Sequence, residues 1–275
     1  SVTADVKSDL GSTAASDKQR EGAWSTEQGL PGAVALFGSR LWWAGSTQRP
    51  QTVWGSVVAD FEDHDEGTAL DDEAINITIA SNEVNAIRWL SPIKQLLAGT
   101  VGAEFVLAGP EDDVLTPSNI DATSESVHGT ANIQPVRVGN ATVFIQAASK
   151  KVRSFAISFA SDATGAFVAP DLTVLAESIT GAGLTDLSYQ QEPNSVVYAT
   201  KTNGDLLALT YLVDQDVAGW SRFTTDGSFE SVATIPHPDG DRDQVWVIAN
   251  RTIGAATKRY VEYFEDGASE FTARA

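Results

Sequence analysis

Residues 33–61 read AVALFGSRLWWAGSTQRPQTVWGSVVADF, and this stretch decides the fold class. It holds three apolar runs, Ala33–Phe37, 41–44 and 52–58, each rich in β-branched or aromatic residues. The runs are separated by Gly, Ser, Arg and Pro, and most of these residues favour turns. Short apolar runs bounded by turn residues predict an antiparallel strand meander.

Further short apolar runs follow along the rest of the chain. In the segment 75–80, INITIA, the Ile residues alternate with polar residues, as in a half-buried strand. Gly139-Asn140 and Asn203-Gly204 are turn candidates, and Asn-Gly is the strongest short hairpin signal. Sets of runs recur at roughly 35–50 residues, the scale of a four-stranded blade. The sequence therefore predicts an all-β fold, a β-propeller of about five or six blades.

One segment, residues 169–180 (APDLTVLAESIT), carries a helical pattern. Asp171 is placed to cap it, and Gly181 follows as a stop. Its apolar face comprises Leu172, Leu175, Ala176 and Ile179. The pattern predicts one short helical insertion between the third and fourth strand sets.

Length and composition limit the class of protein. The 275 residues include no Cys, which excludes disulfides and thiolate metal sites. No apolar run approaches the ~18 residues of a membrane-spanning helix, and the first residues lack the apolar core of a signal peptide. The sequence has no Met at all, which predicts an internal fragment of a longer protein. Residues 1–30 predict an extended polar arm or linker that docks through Trp24, and residues 31–275 form the predicted propeller domain.

The formal charge is −19, from 37 acidic and 18 basic residues. Such a surface disfavours gripping a nucleic-acid backbone, because that binding depends on Lys and Arg. The favoured interpretation is a solvated acidic surface that keeps the protein soluble. The alternative is an acidic conduit past which DNA slides without sticking. Charge alone leaves both open.

Large aromatic side chains are predicted to fill the spaces between stacked blades. The Trp residues inside apolar strand patterns are Trp42, Trp43, Trp54, Trp89, Trp220 and Trp246. Because Trp42 and Trp43 are adjacent, they must point to opposite faces of a sheet. A carbohydrate platform of exposed Trp rings is the alternative to a core role.

Catalytic patterns are not found in the sequence. His64, His128 and His237 lie in predicted loops and show no metal-ligand spacing. The nucleophile-elbow pattern G-x-S-x-G and the phosphate-loop pattern do not occur. We therefore predict no catalytic residue, no cofactor and no enzymatic activity.

The segment HPDGDRDQ is the best ligand candidate. Asp239, Asp241 and Asp243 are spaced as in the opening of a calcium loop. Gln244 and Asn250 stand where an EF-hand needs its Gly and distal Glu. An Asp/Gly-rich hairpin turn is the favoured interpretation, and calcium is the alternative.

Two charged clusters also permit more than one interpretation. The acidic run 62–66 is favoured as a solvated loop. The basic cluster of Lys150, Lys151 and Arg153 is placed at a turn that leads into a strand. A hairpin made soluble by charge is the simpler interpretation, and contact with phosphate or with a partner's acidic rim is the alternative.

Several phrases, dispersed but in order, resemble the tail nozzle proteins of short-tailed bacteriophages, the tail tubular protein B-like family. The first is EGAWSTEQGLPGAVALFGSRLWWAG (21–45), followed by RPQTVWGS (49–56) and NAIRWLSPIKQLLAGTVGAEFVLAG (85–109). LTPSNI (115–120), KVRSFAISFASDATGAFVAPDLTVLAE (151–177) and YQQEPNSVVYATKTNGDLLALTY (189–211) also have counterparts there. The likeness covers roughly residues 22–265.

This resemblance implies a propeller that is one domain of a virion structural protein. The family forms a homo-oligomeric ring, usually a hexamer, below the portal and adaptor, with tail fibres or a tail needle nearby. Double-stranded DNA passes through the ring without specific binding. The implied location is the virion tail, assembled in the host cytoplasm.

Three functions are carried forward. The first is this tail nozzle role, which acts by shape and assembly. The second is a carbohydrate- or protein-binding propeller on the virion surface. The third is a propeller glycosidase, which needs two carboxylates roughly 5–10 Å apart across the central funnel. The sequence offers no pair of residues for that role.

Overall fold

A computed structural model describes residues 23–81, 85–110, 114–158, 166–215 and 217–264. The described chain forms five antiparallel sheets, and each sheet is a meander of strands that follow one another in sequence. Sheets of this kind packed face to face in chain order make a β-propeller, as the sequence predicts. No helix among the described residues is long and apolar enough to cross a membrane.

The first two sheets are formed by β1 to β8, beginning with the apolar stretch 33–61. Sheet 1 contains β1 (Ala33–Phe37), β2 (Arg40–Ala44), β3 (Thr52–Gly55) and β4 (Ile75–Thr78). Sheet 2 contains β5 (Ile87–Pro92), β6 (Leu96–Thr100), β7 (Glu104–Ala108) and β8 (Asp121–Ser126).

The other three sheets follow in the same way. Sheet 3 contains β9 (Val136–Val138), β10 (Ala141–Ile145), β11 (Val152–Ser158) and β12 (Ala166–Val168). Sheet 4 contains β13 (Leu184–Gln190), β14 (Val196–Lys201), β15 (Leu206–Leu212) and β16 (Val217–Phe223). Sheet 5 contains β17 (Ser228–Pro236), β18 (Asp243–Ile253) and β19 (Ala256–Tyr263).

Contacts between consecutive sheets run mainly through the first strand of each sheet. β1 packs on β5, β9 packs on β13, and β13 packs on β17. Each pair of consecutive sheets shares a cluster of buried apolar residues, so the core is divided among four junctions. Each sheet therefore buries a face against its neighbour in the chain.

The junction of sheets 1 and 2 is mainly aliphatic, whereas the junction of sheets 2 and 3 mixes rings with polar contacts. In the first, Trp42 and Leu96 are fully buried among Val, Ile and Leu side chains. In the second, the Trp89 ring lies 5.7 Å from the Phe144 ring. The Trp89 indole also covers Gly99, where a Cβ would lie only 2.1 Å from the ring.

Both predicted Gly turns are confirmed. Gly139 and Asn140 connect β9 to β10, and Gly139 has a φ of 58°. Asn203 and Gly204 lie in the turn between β14 and β15, where Gly204 has a φ of 86°. A Cβ at Gly204 would lie 2.5 Å from the Cβ of Ser228, so this turn also packs on sheet 5.

The predicted helix is largely wrong, although an insertion does lie between the third and fourth sheets. Only α1 (Glu177–Thr180) is helical, and no side chain caps it. Upstream, Asp171 accepts hydrogen bonds from both the N–H and the hydroxyl of Thr173. The Leu172 N–H donates to Val152 O, and Leu172 O accepts from the Trp220 indole. These non-local bonds use the backbone groups that a helix would need, so tertiary contacts override the local pattern.

A buried arginine fixes the long connection between β3 and β4. Arg40 is 1% exposed, and its guanidinium donates to three carbonyl oxygens. The distances are 2.5 Å to Ser56, 2.6 Å to Glu73 and 2.7 Å to Asp71. One side chain thus holds both ends of this connection against sheet 1. We call it the acidic connection, because it contains the acidic run 62–66.

Candidate functional site

The tryptophan pair in sheet 1 divides between the two faces of the sheet. Trp42 is completely buried, and its indole N–H donates to Phe37 O at 2.9 Å. Trp54, on the neighbouring strand, is also buried. A core role is therefore confirmed for Trp42, which offers no platform for a sugar ring, whereas Trp54 pairs with Trp43 on the other face of the sheet and is buried there.

Trp43 lies on the opposite face and is half-buried by Trp24. The Trp24 ring lies 5.7 Å from both the Trp43 and Trp54 rings, and 5.1 Å from the His64 ring. The docking role predicted for Trp24 is thus confirmed, while residues 1–22 of the predicted arm lie outside the described residues. The aromatic cluster joins the first described residues to the acidic connection.

The acidic run 62–66 belongs to a connection that organises itself with local bonds. Glu73 accepts from the N–H groups of Thr68 at 2.6 Å and Leu70 at 2.8 Å. Asn76 donates to Glu66 at 2.7 Å. Its carboxylates are mostly exposed, so the connection is a solvated acidic loop, as favoured from the sequence.

The structure separates the three Asp residues proposed as calcium ligands. Asp243 accepts from the N–H groups of Gln191 at 2.8 Å and Glu192 at 3.0 Å. Asp239 and Asp241 instead approach His237 Nδ1, at 3.4 and 3.8 Å. No group of three or more His, Asp or Glu residues within the described ranges is placed to hold a metal ion. The segment forms the connection between β17 and β18, in agreement with the hairpin-turn interpretation.

The basic cluster also has structural partners. Lys151 Nζ lies 2.8 Å from Asp171 and 3.5 Å from Glu177, and the bond to Asp171 raises the pKa of Lys151. Arg153 donates to Gln146 at 2.9 Å and to Ala169 O at 2.6 Å. These two side chains tie β11 to the insertion that follows β12, whereas Lys150, the third member of the cluster, is exposed.

One buried carboxyl was not singled out from the sequence. Glu104 is fully buried in β7, and its Oε2 accepts from the Ser126 hydroxyl and the His128 N–H. Its Oε1 is buried without a hydrogen-bond partner, and burial raises the pKa of Glu104. Burial, followed by the charge of Arg153, lowers the pKa of His128. The only sequence signal for this buried carboxyl is that Glu104 is the single acidic residue in the otherwise apolar run AEFVLAG.

A cleft of about 650 Å³ lies between sheets 3 and 4. Apolar side chains dominate its lining, including Ile157, Leu172 and Trp220. The cleft also contains a buried polar contact, in which the Tyr211 hydroxyl donates to Ser154 Oγ at 2.9 Å. Leu175, at its rim, is 100% exposed. The cleft offers apolar contact area and no carboxylate pair.

The first strands of sheets 2 to 5 carry charges of both signs. β5 and β9 contribute Arg88 and Arg137, and β13 and β17 contribute Asp186 and Glu230. Asp186 accepts from the Ser231 hydroxyl at 2.7 Å, and Glu230 accepts from Arg259 at 2.6 Å. Both carboxylates are thus engaged in bonds within and between sheets. The acidic surplus lies mainly outside these strands.

The fold is similar to that of solved β-propellers. A protein from Lactobacillus plantarum matches with a TM-score of 0.50 and 12% identity, over 89% of this chain and 70% of that chain. Kluyveromyces lactis Hsv2 matches with a TM-score of 0.48 and 9% identity, over 86% of this chain and 64% of that chain. The chain therefore spans less than two thirds of the length of Hsv2. Together with the five meanders, the first of these matches establishes an all-β propeller fold.

Sequence comparisons add no family assignment. No family model matches the chain, and no curated protein matches it.

Proposed function

We propose that this chain is a structural propeller of a bacteriophage tail nozzle and has no enzymatic activity. In this role it helps to form the channel through which double-stranded DNA leaves the virion. Its partners are further copies in a ring, usually a hexamer in the family it resembles, together with adaptor proteins and tail fibres or a needle. Its location is the virion tail, after assembly in the host cytoplasm.

The observation that carries this proposal is the placement of the resembling phrases. They fall in chain order on sheets 1, 2 and 4: RLWWAG on β2, PQTVWGS on β3, residues 85–109 on β5 to β7, and residues 189–211 on β13 to β15. Within them, Trp42, Leu96 and Tyr198 are fully buried in three different sheets. The phrases therefore coincide with the scaffold of the propeller, which supports a shared architecture.

The side-chain chemistry agrees with a mechanical role. The charged residues on β13 and β17, the first strands of sheets 4 and 5, are engaged in hydrogen bonds or ion pairs. The net charge of −19 disfavours adhesion to DNA phosphates, which a channel must let pass. Four apolar junctions give the sheets a close-packed, rigid arrangement.

Immunogold electron microscopy of virions tests this proposal. A peptide tag is inserted between Gly254 and Ala255, in the exposed turn of β18 and β19, where a Cβ at Gly254 meets no atom within 4 Å. We expect gold at the tail end of the particle, below the portal. Untagged phage is the control. Gold on the head, or tagged protein that is absent from purified particles, would contradict the proposal.

The apolar cleft favours a second candidate, a protein-binding propeller on the virion surface. Its exposed rim, including Leu175 and Val174, is the kind of contact that protein interfaces bury. Carbohydrate binding and glycoside hydrolysis are tested together on a polysaccharide panel. Retention without release of reducing sugar would support a carbohydrate-binding role, and release would support a glycosidase.

A further inference from the structure

The outer edge of sheet 4 is formed by a long strand with a neighbour on one side. β16 pairs with β15, and no other strand of the described ranges pairs with it. With seven residues, β16 is the longest of the fourth strands in sheets 1 to 4. A strand edge of this kind presents N–H and C=O groups that a further extended chain can join.

The apolar cleft between sheets 3 and 4 opens beside this edge. Strand pairing places Ala218 of β16 opposite Tyr211 of β15, and both residues line the cleft together with Trp220. On the facing strand β11, the lining residues are Ser154 and Ala156. Because the side chains on both walls are small, the gap between the two sheets stays open. It encloses about 650 Å³, a volume typical of binding pockets.

An extended segment on the edge of β16 directs alternate side chains to the two faces of sheet 4. The side chains on one face enter the cleft, where Trp220 provides an aromatic contact. At the rim of the cleft, Val174 is 62% exposed and Leu175 is 100% exposed. Apolar side chains at alternate positions of the segment therefore find apolar partners in the cleft.

The cleft has a net negative charge on one side. Asp171 lines the cleft, and Glu177 follows the lining residue Ala176. Lys151 Nζ lies 2.8 Å from Asp171 and 3.5 Å from Glu177, so one ammonium group serves two carboxylates. The Glu177 side chain is 69% exposed, which leaves it accessible to a basic residue of a partner.

The far end of β16 has a net positive charge. Arg222 lies on β16 away from Val217, and its side chain is 58% exposed. Asp205 lies 4.0 Å from Arg222 and 3.2 Å from Lys201, so one carboxylate serves two cations. The two ends of this surface thus differ in charge, and charge complementarity fixes the orientation and register of a bound partner.

We propose that β16 and the cleft beside it bind an extended segment of a partner protein. The segment has apolar side chains at alternate positions, a basic residue near Glu177 and an acidic residue near Arg222. It adds a strand to sheet 4, so its main chain supplies affinity and its side chains in the cleft supply specificity. The inference rests on the second candidate function, the protein-binding propeller, and names the kind of segment that it binds.

Selection of a displayed library of random linear peptides on the purified chain tests the partner chemistry. We expect the enriched peptides to have apolar residues at alternate positions, with a basic and an acidic residue toward opposite ends. Fluorescence anisotropy of the best peptide then measures its dissociation constant. A selection that enriches no peptide, or only peptides without this alternation, would overturn the proposal.

Two N-methylated forms of the selected peptide test the main-chain pairing. In a strand ladder the N–H groups of alternate residues point to the neighbouring strand, and the others point away. Methylation of one alternate set should therefore abolish detectable binding, whereas methylation of the other set should leave the affinity nearly unchanged. Equal effects of the two sets would show that the peptide does not pair as a strand.

Two variants of β16 test the role of the cleft. Ala218→Trp fills the cleft and is expected to weaken peptide binding at least about tenfold. Gly219→Trp is the matched control, because this position faces the other side of the sheet and a Cβ there meets no atom within 4 Å. Both positions are exposed, so the melting temperatures are expected to stay unchanged. Full affinity in Ala218→Trp would refute the proposal.

The peptide experiments and the immunogold labelling can fail independently, because no phage particle takes part in peptide binding. Gold at the tail without peptide binding would refute this inference and leave the nozzle role intact. Peptide binding that depends on Ala218, with no gold at the tail, would support this inference and contradict the nozzle role.

Discussion

Two junctions in the propeller each hold a pair of sheets together, but their chemistry differs. One lies between sheets 1 and 2, and the other lies between sheets 2 and 3. The first buries a large aliphatic set around Trp42 and Leu96. The second has a smaller apolar cluster and adds buried polar bonds. Trp89 Nε1 donates to Thr130 Oγ1 at 2.7 Å, and the hydroxyls of Ser91 and Thr142 lie 2.8 Å apart.

The two junctions therefore make different contributions: one mainly stabilises the fold, and the other fixes the orientation of its two sheets. Apolar contact is non-directional and scales with the area buried, so the first junction supplies mainly free energy. A buried hydrogen bond adds little net free energy but is costly to leave unmade, so the second junction selects one arrangement of its two sheets. Four predictions test this contrast.

The largest effect is expected at the aliphatic junction. Leu96 is completely buried, so Leu96→Ala removes contacts and leaves a cavity. We expect a loss of about 2–5 kcal/mol in the free energy of unfolding, measured by urea denaturation. Leu70→Ala is the control, since Leu70 is 61% exposed, and it should change stability by less than about 0.5 kcal/mol. Equal losses in the two variants would contradict the assigned core.

An intermediate effect is expected at Thr130. Thr130→Val keeps the side-chain shape but leaves the buried Trp89 N–H without its acceptor, so about 1–3 kcal/mol should be lost. Thr123→Val, at an exposed position of β8, is the matched control. The indole N–H proton resonance of Trp89 should shift only in the first variant. An unshifted resonance would show that this bond is absent in solution.

A smaller effect is expected from the hydroxyl pair that links β5 to β10. Ser91→Ala and Thr142→Val should each cost about 1 kcal/mol, because each leaves a buried hydroxyl unpaired. The double variant removes both groups, so its loss should be less than the sum of the single losses. Denaturation of all four proteins completes the double-mutant cycle. Strict additivity would show that the two hydroxyls do not interact.

The smallest effect is expected at Glu104, where substitution should increase the stability of the protein. Burial raises the pKa of Glu104, so its contribution to stability is present below the pKa of the unfolded chain and is lost as pH rises through the folded pKa. Glu104→Gln should therefore be the more stable protein at neutral pH, with the advantage vanishing under acidic conditions. Melting temperatures across a pH series measure this. A variant less stable than the wild type at pH 7 would indicate that Arg153 keeps the carboxylate charged.

Much of the fold could be predicted, because strands and turns leave local signals. Gly139 and Gly204 adopt positive φ values that other residues rarely take, and alternation of apolar and polar residues marks β4. β8, with the sequence DATSES, has no comparable apolar pattern, and β12 has only three residues. They are outer strands whose pairing is set by the neighbouring strand, so sequence alone did not identify them.

Less of the candidate site could be predicted, because it depends on contacts between distant segments. Glu104 is buried beside Ser126, and Lys151 meets Asp171 only when the insertion folds back on β11. Strand register also decides which side chains meet across a sheet, as where it places Val261 beside Ile248. Periodicity indicates which residues share a strand face but not which face packs against another sheet.

The Arg40 clamp has a consequence for how this protein can vary. Its guanidinium donates to the backbone at Ser56 on one side and at Asp71 and Glu73 on the other, so the two ends of the connection between β3 and β4 are fixed. We therefore expect that residues between those two ends can change in number or identity while the register of β3 and β4 stays the same. The protein thereby has an anchored insertion point where a relative can acquire a new recognition loop while the blade beneath it stays the same.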